Sequence, residues 1–140
     1  MEYNIGDTVR IISDPNTLLF EGGDYEIGDI ATIEAIEFNN GHIWYELDVE
    51  LFDSDQVLWC EKNLELVKVA DTTSKYRPGD EVVLCTEAGQ PTKTIGFVRL
   101  EDVPGEGEQY VYYMSKDGGP NLYKGYAESI LSTESQYTLF

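Results

Sequence analysis

Tyr3-Asn4-Ile5-Gly6-Asp7-Thr8-Val9-Arg10-Ile11 opens the chain, and Tyr76-Arg77-Pro78-Gly79-Asp80-Glu81-Val82-Val83-Leu84 stands at its middle. Tyr, Gly, Asp and two alternating apolar positions recur at the same offsets. A repeat of this length decides the architecture, because each copy is one folding unit. Outward from it, both halves continue alike. A polar loop leads to Ile30-Ala31-Thr32-Ile33-Glu34-Ala35-Ile36 in the first half and Thr94-Ile95-Gly96-Phe97-Val98-Arg99-Leu100 in the second. An aromatic run follows, Ile43-Trp44-Tyr45-Glu46-Leu47 and Tyr110-Val111-Tyr112-Tyr113-Met114. A mixed segment closes each half, Leu58 to Leu66 and Leu122 to Leu131.

The runs are β-branched and aromatic, and Gly, Asn, Asp and Pro separate them, which predicts strands. Thr8–Ile12, Ile30–Glu37, Ile43–Val49 and Val57–Cys60 are the expected strands of the first half. Asn40-Gly41 tolerates positive φ and predicts a hairpin; Asp117-Gly118-Gly119-Pro120 plays the same part later. No stretch carries a helical apolar period over twelve residues, so helix is limited to single turns near Glu61–Asn63 and Tyr126–Ser129. Short strands, a long first loop and a late single turn describe a small SH3-like β-barrel. The expectation is an all-β protein of two tandem barrels: 1–69, a polar linker at 70–75, 76–132, and a tail at 133–140. The segment from Ser132 to Phe140 could add a strand to a partner or to the second barrel.

Composition sets limits on function. The 140 residues hold 27 acids and 9 bases, a formal net charge of −18. Such a chain has too few cations to displace counterions from nucleic acid, and anionic lipid repels it. It has no apolar run long enough to span a membrane and no secretion signal at its start, so the cytoplasm is the expected compartment. At 41% hydrophobic it should fold. Cys60 and Cys85 are too few for a disulfide scaffold and read as buried thiols. His42 is the single histidine. With no Walker loop and no G-x-S-x-G, the sequence predicts no enzyme. Asp48, Glu50, Asp53 and Asp55 are the densest carboxylates, but no calcium-loop pattern orders them. They read as a solvated acidic loop, with no metal and no cofactor expected.

Gly6-Asp7-x-Val9-x-Ile11, then Ile27-Gly28-Asp29-Ile30-Ala31-Thr32-Ile33, resembles the KOW-type and related SH3-like barrels. Gly79-Asp80-Glu81-Val82-Val83-Leu84 with Gly96-Phe97-Val98 resembles them again. The whole chain, ending its first half in Trp59 and Asn63-Leu64-Glu65-Leu66-Val67, is similar to small acidic proteins of bacteriophages of Gram-positive hosts. The resemblance implies a fold and a phage setting. It does not imply nucleic-acid binding, since the loops of nucleic-acid-binding KOW domains are basic and the first loop here is acidic.

Charge and aromatics supply the candidate sites. Residues 1–70 hold 16 acids and 3 bases, against 11 and 6 in residues 71–140. That concentration exceeds what solubility needs, and its field would steer the protein onto a basic surface. The leading expectation is a non-enzymatic, phage-encoded inhibitor of a host defence protein. By DNA mimicry, as in anti-CRISPR or anti-restriction action, it would mask the basic nucleic-acid-binding surface of that partner. Glu21, Asp24, Glu26, Asp48, Glu50, Asp53 and Asp55 are its expected contacts. The alternative is a scaffolding module that binds through a tyrosine-rich face of the second barrel, Tyr110, Tyr112 and Tyr113. Aromatic rings are favoured at such interfaces.

Overall fold

A computed structural model describes residues 2–13, 26–39, 41–49, 59–116 and 119–133. Its regular structure is β throughout, apart from two single 3-10 turns at Glu61–Asn63 and Glu128–Ile130. The first falls where the sequence places it; the second overlaps the expected Tyr126–Ser129 but starts two residues later, because Tyr126 and Ala127 belong to the last long strand. The chain divides into two compact units, Met1–Ile36 with Ile43–Ser74, and Glu37–His42 with Lys75–Phe140. The division falls within the expected linker, but the short segment around the Asn40-Gly41 hairpin is grouped with the second unit rather than the first.

In the first unit, β1 (Thr8–Ile11) lies between β2 (Ile30–Asn39) and β4 (Leu64–Lys68), and β3 (His42–Leu47) pairs with β2. All of the β1 pairings are antiparallel, with Val9 opposite Ala31 and Leu66. Alternation along β1 buries Val9 and Ile11 and leaves Thr8 and Arg10 facing outward, the two-residue period of a half-buried strand. Tyr45 and Trp59 exchange both backbone hydrogen bonds at 2.8 Å, extending the series by one bridge beyond β3.

The second unit has the same order. β5 (Glu81–Leu84) lies between β6 (Thr92–Val103) and β9 (Leu131–Ser132); β7 (Gly107–Lys116) pairs with β6, and β8 (Gly119–Ala127) with β7. Ser132, in β9, pairs with Val83, and the rest of the segment expected to add a strand, 134–140, lies outside the described residues. Among the described residues no ladder joins the two ends of either series. Among these residues the strands are not seen to close into a ring, as a barrel would require.

Corresponding side chains hold both units. Tyr3 and Tyr45 meet edge to face at 5.3 Å, and Tyr76 and Tyr112 at 5.7 Å. The Tyr3 N–H donates to the Tyr45 hydroxyl, and the Tyr3 hydroxyl donates to the Leu64 carbonyl, each at 3.0 Å. In the second unit the Tyr76 N–H donates to the Tyr112 hydroxyl, and the Tyr76 hydroxyl to the Leu131 carbonyl. Around these pairs each core packs Ile, Val and Leu, with Trp59 fully buried in the first unit. Cys60 and Cys85 are both free thiols, and both are half-buried rather than buried. Each lies at the end of a core segment, beside a 3-10 turn or just past β5, where one side of the chain faces water.

Candidate functional site

The turn before β1 shows how the repeated Gly-Asp works. The Asp7 N–H donates to the Asn4 carbonyl at 3.1 Å, and the Asp7 carboxylate accepts the Asn4 N–H at 2.8 Å. Gly6 between them has φ +90°, a conformation open to Gly but strained for other residues. Arg77 to Asp80 repeats this, with the carboxylate accepting the Arg77 N–H at 2.9 Å. The same turn occurs a third time, at Glu26 to Asp29. There the Asp29 carboxylate accepts the Glu26 N–H at 2.8 Å, and the Asp29 N–H donates to the Glu26 carbonyl at 3.0 Å.

The copies differ in where the second residue points. Ile5 is 1% exposed and Pro78 is buried, but Ile27 is 54% exposed. The position that anchors the core twice is turned to solvent the third time. The strand beside it continues the exposure. Ile30, directly opposite Arg10 on β1, is 51% exposed, and Ile12 is exposed at the end of the same outward face of β1. Arg10 also stands opposite Glu65 on β4 and pairs with it at 3.3 Å. Glu65, Arg10 and Ile30 thus form one row across three strands. Glu26 and Asp29 are exposed carboxylates beside it. Isolated exposed apolar residues are ordinary; here three stand near one another, bordered by acids, which makes this the candidate contact surface of the first unit. The signal for this surface was present in the sequence, as the second Ile-Gly-Asp at Ile27-Gly28-Asp29, but a motif alone does not say whether its isoleucine faces inward like Ile5 or outward.

Of the seven acids expected to bind, Glu21, Asp24, Glu50, Asp53 and Asp55 lie outside the described residues. Glu26 is exposed in the turn just described. Asp48 is exposed too, but its carboxylate accepts the Thr32 N–H at 2.7 Å, and its own N–H donates to the Thr32 carbonyl at 3.1 Å. It ties β2 to the residue following β3, so it has a structural task whatever else it does. No three His, Cys, Asp or Glu side chains among the described residues are grouped to hold a metal ion.

The tyrosine face divides differently from expectation. Tyr112 is 0% exposed: its ring packs on Tyr76, and its hydroxyl donates to Glu128. It offers no surface to a partner, because the face it shares with Met114 is the inward face of β7. Tyr113, on the opposite face, is half-buried against Phe97, with ring centroids 5.6 Å apart, and its hydroxyl donates to Glu101. Burial first, and then the Glu101 carboxylate, push its phenol up to about 12. Tyr110 is half-buried near the start of β7. The two rings that retain some exposure therefore point to different sides of the strand and do not make one face.

In the second unit a separate pocket of about 390 Å³ opens beside β7 and β8. Leu84 and Met114, both buried, form apolar parts of its wall, and Lys93, Lys116 and Lys124 surround it. No helix among the described residues is long and apolar enough to cross a membrane. No protein-family model matches the chain, and no curated protein or solved structure shows significant similarity to it.

Proposed function

We propose that each unit is an SH3-like barrel and that the protein is a non-enzymatic binding module. Its acidic first unit covers the basic, nucleic-acid-binding surface of another protein. The barrel reading rests on strand order. In both units the last strand pairs with the first, the first pairs with the second, and a single 3-10 turn precedes the last. That is the order a five-stranded SH3-like barrel requires, the bridge at Trp59 standing in for the fourth strand of the first unit.

The binding reading is carried by one observation: the exposed Ile12, Ile27 and Ile30 sit beside exposed carboxylates in the half that holds 16 of the 27 acids. Apolar side chains supply contact area that survives desolvation, and the surrounding charge chooses a cationic partner and speeds encounter. Duplex DNA carries about one charge per ~1.7 Å of axis. Carboxylates spaced across strands imitate part of that pattern. In a phage-encoded protein, the partner of this chemistry is a host defence enzyme that handles DNA or RNA.

Competition tests the proposal. The protein should displace duplex DNA from a restriction or CRISPR effector enzyme, and reversing charge at Glu21, Asp24, Glu26, Asp53 and Asp55 should abolish the displacement. Failure to displace nucleic acid from any such enzyme, with charge reversal having no effect, would overturn it.

A further inference from the structure

The pocket of the second unit runs against the character of the whole molecule. Three of the nine residues lining it are lysines, whereas only nine of the 140 residues in the chain are Lys or Arg. They come from different elements: Lys93 from β6, Lys116 from the end of β7, Lys124 from β8. Convergence from three strands is a property of the fold rather than of a local basic run in sequence. Like charges brought together cost self-repulsion, which a bound anion would relieve.

One lysine is held in place. Lys124 Nζ lies 3.1 Å from Glu87 Oε1 and 5.0 Å above the Tyr126 ring. The Tyr126 hydroxyl donates to the same Glu87 oxygen at 2.8 Å. That hydrogen bond, followed by the one from Lys124, lowers the Glu87 pKa, so the residue stays ionised and keeps its grip. Glu87 offsets one of the three cations and leaves a surplus of two. Ser115 and Asn121 add neutral polar groups to the lining, and Leu84 and Met114 an apolar wall. The volume falls in the range of small-molecule sites, which are apolar with a few convergent polar groups.

We propose that this pocket binds a small phosphorylated ligand. Lys93 and Lys116 hold the phosphate oxygens, Glu87 and Tyr126 fix Lys124 at the edge, and Leu84 and Met114 meet the ligand's carbon atoms. Lysine binds phosphate as a compact point charge with three donors, which suits an ion that can rotate in the site. This role is independent of the acidic surface of the first unit.

Titration of the full chain with inorganic phosphate and with glycerol phosphate, at constant ionic strength, tests it by calorimetry and by amide chemical shifts. The expected result is saturable binding, tighter for the ester than for phosphate alone, with shifts at Lys93, Lys116 and Lys124. Lys93→Gln and Lys116→Gln should each weaken it about tenfold, the size of one charge-assisted hydrogen bond. Glu87→Gln should strengthen it by removing the opposing charge, and Lys62→Gln in the first unit should leave it unchanged. Non-saturating shifts, or equal binding by the lysine variants, would overturn the proposal.

Discussion

The hydroxyl of Tyr112 stands 3.3 Å from the Tyr76 N–H, accepting from it, and donates in turn to Glu128. Glu128 also accepts the Lys75 N–H at 2.7 Å. Through this chain the middle strand of the second unit fixes the residue at which that unit begins. Tyr45 does the same for Tyr3 in the first unit. Removing the oxygen leaves a buried N–H without its acceptor. Tyr112→Phe should therefore lower the unfolding free energy by about 1–3 kcal/mol, and Tyr45→Phe by a similar amount. Urea denaturation checks both.

Asp7 and Asp80 occupy the same turn but not the same environment. Asp7 is 2% exposed, and its second carboxylate oxygen accepts the Ala70 N–H at 2.8 Å, holding the start of the polar segment between the repeats. Asp80 is exposed. An Asn side chain has one acceptor oxygen where a carboxylate has two. Asp7→Asn should cost about 1–3 kcal/mol, and Asp80→Asn distinctly less; comparison of their urea midpoints decides it.

Gly125 is required for space rather than for its torsion angles. A Cβ there would lie 2.4 Å from Val111 Cγ1 and 3.1 Å from the Tyr113 ring. β7 and β8 are paired at this point, Tyr113 opposite Gly125, and since real Cβ contacts are not as short as 2.4 Å, Val111 or the strand pairing itself must shift. Gly125→Ala should destabilise by about 1–3 kcal/mol through overpacking, while Glu81→Ala at an exposed position of β5 serves as the comparison. Thermal unfolding of the two variants measures the difference.

The Tyr113 phenol predicts a pH dependence at the alkaline end. Its value is raised from 10.0 to about 12, chiefly by burial and next by Glu101. The unfolded chain loses this proton near 10, and the folded one only near 12. Above pH 10 the unfolded state thus binds fewer protons, and stability falls as pH rises. The contribution is complete below pH 10 and lost between about 10 and about 12. Glu101→Gln should bring the titration of Tyr113 to lower pH, followed by phenolate absorbance in the wild type, Glu101→Gln and Tyr113→Phe.

Much of this was legible in sequence because the informative residues are ones with few conformational substitutes. Gly6, Gly28 and Gly79 all have positive φ, and each is followed by an Asp that caps its turn. Tyr45 and Tyr112 align because both must reach a backbone N–H at the start of their unit. Less visible was the closing segment. Trp59 pairs with Tyr45 where Tyr126 pairs with Tyr112, and the buried Asn63 corresponds to Ile130. Asn63 accepts the Cys60 N–H and donates to Ser13, a polar clamp with no sequence likeness to isoleucine. Alternation along β7 put Tyr110 and Tyr112 on one face, but periodicity alone does not say which face is inward. The lysines of the pocket are far apart in sequence, so only the strand pairing brings them together.

The measurement that bears most directly on the central claim is the affinity of the protein, as a function of salt, for a DNA-handling enzyme captured from a bacterial lysate. Wild type and variants reversed at Glu26, Asp53 and Asp55 would be compared with Tyr110→Ala. Asp48 is left intact because it ties Thr32 in place. A charged interface is screened as salt rises. The account predicts that binding weakens steeply from low to physiological salt, that charge reversal abolishes it, and that Tyr110→Ala leaves it unchanged. A shallow salt dependence, with binding kept on charge reversal and lost in Tyr110→Ala, would contradict it.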